Sequence, residues 1–207
     1  MNNKKLVLAS QSPRRKALLS QLGYEFTCQP ADIEESMFED EPVLTYVVRM
    51  AKEKAQVIAD TAKPCLNRLF LGADTCVVNA GEILAKPVDL VDCITILQAL
   101  SAKKHQVLTA IAVTNGENIS HEVILTDVYF KALTIAEITA YWHTGEPQDK
   151  AGAYGIQGIG GQFVRRIEGS YSAVVGLPLY ETSQLLAKFG VYSALQQTKN
   201  RYLGEQK

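Results

Sequence analysis

Asn115-Gly116 stands between two long strand-forming runs, 106–114 and 119–131. Asn-Gly readily takes the positive φ angles of a tight hairpin turn. The two runs are therefore tied together as neighbouring strands, and the rest of the chain must be built around them. A second hairpin is expected at 76–78 and 83–85, flanking the turn Asn79-Ala80-Gly81-Glu82. Elsewhere strands alternate with helices. Strands are expected at 5–9, 24–29, 68–73 (ending on Asp74) and 162–167. Ser12 as N-cap and Pro13 at the first helical position open a helix that runs to Gln21 and stops at Gly23. Pro42 opens a longer one, 43–61, and further helices are read at 89–100 and 178–189. Thr134-Ile-Ala-Glu137 is a capping box that starts another, running towards Thr144. Alternation gives an α/β class, and the hairpins make its sheet mixed.

With 207 residues the chain has the length of one large domain or two small ones. A core lobe is expected over 1–131 and 162–190, a second lobe over 132–161, and a polar, fraying tail over 191–207. No apolar run approaches the roughly 20 residues that span a bilayer. The apolar stretch after Lys4-Lys5 is too short for a signal peptide, so no membrane association and a cytoplasmic location are expected. Cys28, Cys65, Cys76 and Cys93 form no C-x-x-C pair and read as free thiols. The three histidines lack zinc spacing, so any metal here is expected to be a hard cation held by carboxylates. A net charge of −1 argues against a general nucleic-acid binder.

Several short stretches combine chemistry with a place to present it. Arg14 and Arg15 fall in the first turn of a helix, where the partial positive charge of the helix end disfavours them. Small residues around Ser10 and free helix N–H groups make that end an anion site, and two guanidiniums there can grip phosphate bidentately. Solvent exposure, or pairing with Glu25 or Glu39, explains the same residues. Asp74 closes an apolar strand beside Gly72 and Ala73, where a carboxylate can bind Mg²⁺ or position a water, or simply cap a turn. Glu35, in Asp32-Ile-Glu-Glu, could share that metal or belong to a solvated acidic loop. Lys54 has helical i,i+4 pairing as its plain explanation, and Lys86 has snorkelling to solvent. The segment 145–161 is too rich in glycine to be a passive linker, and Gln157 offers an amide suited to a base edge.

As an ordered set these motifs resemble the Maf family of nucleotide pyrophosphatases. The stretches are Leu8-Ala-Ser-Gln-Ser-Pro-Arg-Arg15, Asp32-Ile-Glu-Glu35, Tyr46-Val-Val-Arg-Met-Ala-Lys-Glu-Lys-Ala55, Leu71-Gly-Ala-Asp-Thr75, Leu84-Ala-Lys-Pro87, Asp149-Lys-Ala-Gly-Ala-Tyr-Gly-Ile-Gln-Gly158 and Val174-Val-Gly-Leu-Pro178. The resemblance implies an elongated mixed β-sheet flanked by helices, with two lobes around a central cleft, similar to the inosine triphosphate pyrophosphatase fold. It implies a homodimer and hydrolysis of a nucleoside triphosphate to the monophosphate and diphosphate. It implies a divalent cation, Mg²⁺ or Mn²⁺, held by Glu35 and Asp74, with Asp74 as base. Ser10, Arg14, Arg15, Lys54 and Lys86 would surround the triphosphate. Arg14, Thr75 and Gln157 match the branch that takes dTTP and UTP, in which Thr75 and Gln157 would favour a pyrimidine with a carbonyl at position 4. Glu34 stands where many members carry Asp. House-cleaning of modified pyrimidine nucleotides and a link to cell-division arrest come with the family. The alternatives are a 7-methyl-GTP pyrophosphatase and a non-catalytic nucleotide-binding division regulator.

Overall fold

The computed structural model describes residues 4–62 and 67–197. Its strands are β1 (Lys5–Leu8), β2 (Phe26–Cys28), β3 (Arg68–Asn79), β4 (Glu82–Leu84), β5 (Lys104–Thr114), β6 (Ile119–Phe130) and β7 (Val164–Glu168). Its α-helices are α1 (Pro13–Gln21), α2 (Val43–Thr61), α3 (Leu90–Leu100), α4 (Ile135–Trp142), α5 (Tyr171–Val175) and α6 (Leu179–Lys188). The strands follow the order β2-β1-β3-β5-β6-β7, with β4 also paired to β3. β1 runs parallel to β2 and β3, whereas β4 on β3 and β7 on β6 are antiparallel. The class is α/β with a mixed sheet, as the alternation and the hairpins imply. None of the described helices is long and apolar enough to cross a membrane.

The chain separates into two compact units. The first comprises 1–74, 110–123 and 176–207, and the second 75–109 and 124–175. These limits cut through β3, β5 and β6 rather than through the loops near 131 and 161 where the sequence reading divided the lobes. Long strands can supply a core at each end, so a boundary can fall within them. In the first unit Leu8, Leu19, Met50, Ala51, Ala55 and Phe70 are sealed from solvent. Lying at helical spacing on α2, Val47, Met50, Ala51, Ala55 and Ile58 form one buried stripe. In the second unit α3 contributes Cys93, Leu97 and Leu100 to a core with Val128, Phe130, Ile138 and Phe163.

Two local differences from the sequence reading bear on function. β3 does not end at Asp74 but runs on to Asn79, because Val77–Asn79 pair with β4. The short helix α5 was not foreseen; Ser170 Oγ accepts the Ala173 N–H at its start. Cys28 is an exposed free thiol, Cys76 and Cys93 are buried ones, and Cys65 lies outside the described residues. The expected tail is not uniform. Residues 194–197 are helical and Ala194 N–H reaches Leu22 O at 3.2 Å, while 198–207 lie outside the described residues.

His105 belongs to the second core and gives it a pH response. It is only 2% exposed, its Nε2 lies 2.9 Å from Tyr154 Oη, and it packs edge-on against Phe130. Burial lowers its pKa from the ordinary 6.5 to about 4, against a weak upward pull from Asp127. The folded protein thus holds His105 neutral while the unfolded chain protonates it below 6.5. Stability is full above that pH and falls as pH drops towards 4, by roughly 3 kcal/mol for a shift of this size. Urea unfolding of the wild type and His105→Gln across pH 4–7 checks this, and the variant is expected to lose most of the slope.

Candidate active site

The first unit answers why two arginines open α1. Ser12 caps the helix, its Oγ accepting the Arg15 N–H at 3.4 Å, and the Ser12 N–H in turn donates to Ser10 Oγ at 3.1 Å. The Arg15 side chain leaves the helix surface and turns inwards. Its Nε donates to Gly176 O at 3.0 Å and its Nη1 reaches Ser10 Oγ at 3.5 Å. Burial pulls the Arg15 guanidinium below its ordinary value; Asp74 raises it again, Arg14 lowers it and Glu35 raises it. Arg15 is thus held in the field of two carboxylates, and Arg14 is its half-buried neighbour.

Those carboxylates meet on Lys54. Its Nζ is 2.8 Å from Asp74 Oδ1 and 2.7 Å from Glu35 Oε1. Helical i,i+4 pairing is therefore not what holds Lys54, since its partners come from β3 and from the acidic loop. Lys54 is only 8% exposed at the end of a long aliphatic stem. The Glu35 side chain is mostly solvated and the Asp74 side chain mostly buried.

Gly72 is what lets this pair form. A Cβ there would sit 2.1 Å from Ala51 O and 2.7 Å from Ala55 N. The backbone of α2 lies directly against β3 at this point, two residues before Asp74 and one turn around Lys54. Glu35 is placed by its own backbone, whose carbonyl accepts the Tyr46 hydroxyl at 2.8 Å. Arg49 holds the acidic loop beside it, bound to Glu41 at 2.6 Å and to Ser36 O at 2.9 Å.

Glu35 and Asp74 are oxygen donors of the kind that suit a hard divalent cation. Both reach one ammonium, so their oxygens are no farther apart than the sum of those two distances. Among the described residues no three His, Cys, Asp or Glu side chains gather. A cation held here would have two protein carboxylates, and Mg²⁺ commonly takes one or two and completes its shell with water and phosphate oxygens. The residues fit such an ion.

The remaining expected site residues lie in the second unit. Thr75 Oγ is 3.0 Å from Thr109 Oγ, and Thr109 donates to Ala173 O at 2.7 Å. Thr109 has one hydroxyl proton and spends it on Ala173, so Thr75 is the donor between the two threonines. Towards any other group Thr75 Oγ then presents an acceptor. Lys86 and Gln157 are both exposed.

Sequence reasoning missed the residue that shapes the glycine-rich loop. Glu146 accepts the Ile159 N–H at 2.7 Å, the Gly160 N–H at 3.0 Å and the Tyr141 hydroxyl at 2.7 Å. Burial pushes the Glu146 carboxyl up, but these bonds and the charge of Lys150 bring it below its ordinary value. A Cβ at Gly158 would lie 2.2 Å from Glu146 Oε2, so a side chain there would push that carboxylate away from the bonds it makes. Gln157 is therefore presented by a loop wrapped around a carboxylate. A single Glu at the loop entrance gave no periodic signal that could have marked it.

Comparison with known proteins adds to this geometry. A model of the Maf-like protein family matches residues 5–189. The chain is 57% identical over 196 residues to the dTTP/UTP pyrophosphatase of Colwellia psychrerythraea, covering 93% of this chain and 92% of that one. It is 53% identical to the dTTP/UTP pyrophosphatase of Pseudoalteromonas atlantica, covering 90% and 97% of the two chains. With the protein of the same name from Vibrio cholerae identity is 50%, covering 91% and 100%. The structure of the Staphylococcus aureus Ham1 protein aligns with a TM-score of 0.39 at 16% identity, over 61% of this chain and 71% of that one. From the start of β1 to the end of α6, the chain belongs to the Maf family.

Proposed function

We propose that the protein is a nucleoside triphosphate pyrophosphatase that hydrolyses dTTP and UTP to the monophosphate and diphosphate. The observation that carries this reading is the meeting of Glu35, Lys54 and Asp74 beside the inward-turned Arg15. Close relatives named dTTP/UTP pyrophosphatase support the substrate. In the reaction a water oxygen bonds to phosphorus, the α–β anhydride P–O bond breaks, and diphosphate leaves with the electron pair. Asp74 takes the water proton. Arg14, Arg15 and Lys54 hold the phosphate oxygens, and Ser10 adds a hydroxyl donor. The family pattern adds Lys86 to these ligands. Positioning and fixed positive charge supply most of the acceleration in such chemistry. A divalent cation, Mg²⁺ or Mn²⁺, bound by Glu35 and Asp74 would neutralise phosphate charge and lower the pKa of a bound water.

Base reading falls to Thr75 and Gln157. An acceptor at Thr75 suits the N3–H of uracil and thymine and not the bare N3 of cytosine. The Gln157 amide can donate to a carbonyl at position 4. Gln157→Glu removes that donor and is expected to lower kcat/KM for UTP about tenfold while leaving CTP within a factor of a few. An unchanged UTP/CTP ratio would remove Gln157 from base reading. The function itself is tested by product analysis on a panel of dTTP, UTP, CTP, ATP, GTP and 7-methyl-GTP, with Mg²⁺ or with EDTA. Monophosphate and diphosphate from dTTP and UTP, abolished by EDTA, is the expected result. Release mainly from 7-methyl-GTP would overturn the substrate, and binding without turnover would point to a regulator.

A further inference from the structure

In the second unit a groove of about 380 Å³ is lined by Lys103, Lys104, Tyr129, Arg165 and Arg166. It shares no residue with the candidate active site. Two backbone irregularities build it. β7 pairs Tyr129 with Arg166 and Phe130 with Val164, so Arg165 is an extra residue with no partner opposite. Consecutive residues of a regular strand point to opposite faces. A bulge re-aims them, and here Arg165 and Arg166 both line one groove. Across from them, Ala102 adopts a left-handed φ of 57°, a conformation uncommon for a non-glycine residue, just before Lys103 and Lys104.

The four cations are not equally neutralised. Lys104 Nζ is 2.9 Å from Asp127, which also accepts from Gln106. Arg166 pairs with Glu168 and lies 5.1 Å over the Tyr129 ring, whose hydroxyl donates to Glu168 at 2.6 Å. Lys103 and Arg165 have no ion-pair partner among the described residues. The groove therefore carries two fixed cations and two uncompensated ones, a net excess that matches one dianionic phosphate group. Arg166, paired with Glu168 and lying over the Tyr129 ring, brings a guanidinium fork to the groove wall.

We propose that this groove is a second binding site, for a phosphate dianion, either free or as the phosphomonoester of a small molecule of nucleotide size. Lys103 and Arg165 grip the phosphate oxygens and Arg166 lines the wall beside them. The test is a titration of the full chain with inorganic phosphate and, separately, with UMP, followed through the backbone amide resonances of residues 102–104 and 164–166. Saturable shifts are expected with both probes. Each of Lys103→Ala and Arg165→Ala is expected to weaken them about tenfold, the loss of one charge-assisted contact. Both residues are exposed and outside the catalytic set, so dTTP turnover should be unchanged. Tighter binding of UMP than of phosphate would identify a phosphomonoester as the ligand; equal binding would identify the phosphate group alone. Absence of saturable shifts, or shifts in both variants with the affinity of the wild type, would overturn the proposal.

Discussion

Gly72→Ala is expected to destabilise the protein by about 3 kcal/mol, the upper end for forcing a methyl into closed packing. The new Cβ would meet Ala51 O at 2.1 Å and Ala55 N at 2.7 Å. Both are backbone atoms of α2, so no side chain can rotate away and the helix must move off β3. For a chain of this length such a loss lowers the melting midpoint by roughly 10 °C. Calorimetry of the two proteins measures it. Activity should fall as well at temperatures where the variant stays folded, because the displaced helix carries Lys54 away from Asp74. Gly81→Ala is the control. Nothing lies within 4 Å of a Cβ there, and only its φ of 90° is strained, so about 1 kcal/mol is expected. A Gly72→Ala variant as stable as Gly81→Ala would mean that α2 and β3 are not in this close contact.

Lys54→Met is expected to reduce kcat/KM for dTTP by about a thousandfold, the scale set by removing a preorganised charge from a site where charge develops. Methionine keeps much of the aliphatic stem, so packing in the α2 stripe is largely preserved. What is lost is the cation shared by Glu35 and Asp74. Part of that loss is structural, because Asp74 would remain buried without its partner. Glu35 is mostly solvated and its share is screened by water. About 1–2 kcal/mol of stability is the expected total. Lys54→Arg restores the charge but not the compact ammonium, and should recover stability more fully than activity. Steady-state kinetics and urea unfolding of the two variants separate these effects.

Much of the fold was legible because its signals are local. Val43–Thr61 is helical over the residues read from Pro42 and the apolar stripe, and Thr134 and Glu137 form the capping box their spacing announces. The β3–β4 turn also falls where Asn79–Glu82 marked it. The misses are long-range. Whether β3 stops at Asp74 depends on β4 pairing beyond it. Lys54 reads as an ordinary helical lysine until a strand twenty residues on delivers Asp74 to it. Glu146 organises a loop through bonds to residues more than ten positions away. The bulge at Arg165 depends on the register of β6, which no pattern in Val164–Glu168 encodes. In the candidate site the residue types were readable from motifs, whereas the Ser10–Arg15–Gly176 and Glu35–Lys54–Asp74 contacts are products of the fold.

The central claim is that Asp74 works as the base of a hydrolytic site built in the first unit. It is tested most directly by diphosphate release from dTTP by the wild type and Asp74→Asn with Mg²⁺, with dTTP binding measured in both. Asparagine keeps the shape and removes the proton acceptor. The account predicts a loss of at least about a thousandfold in kcat, with nucleotide still bound by the arginines and Lys54. Turnover by Asp74→Asn within a few fold of the wild type would contradict it and place the base elsewhere.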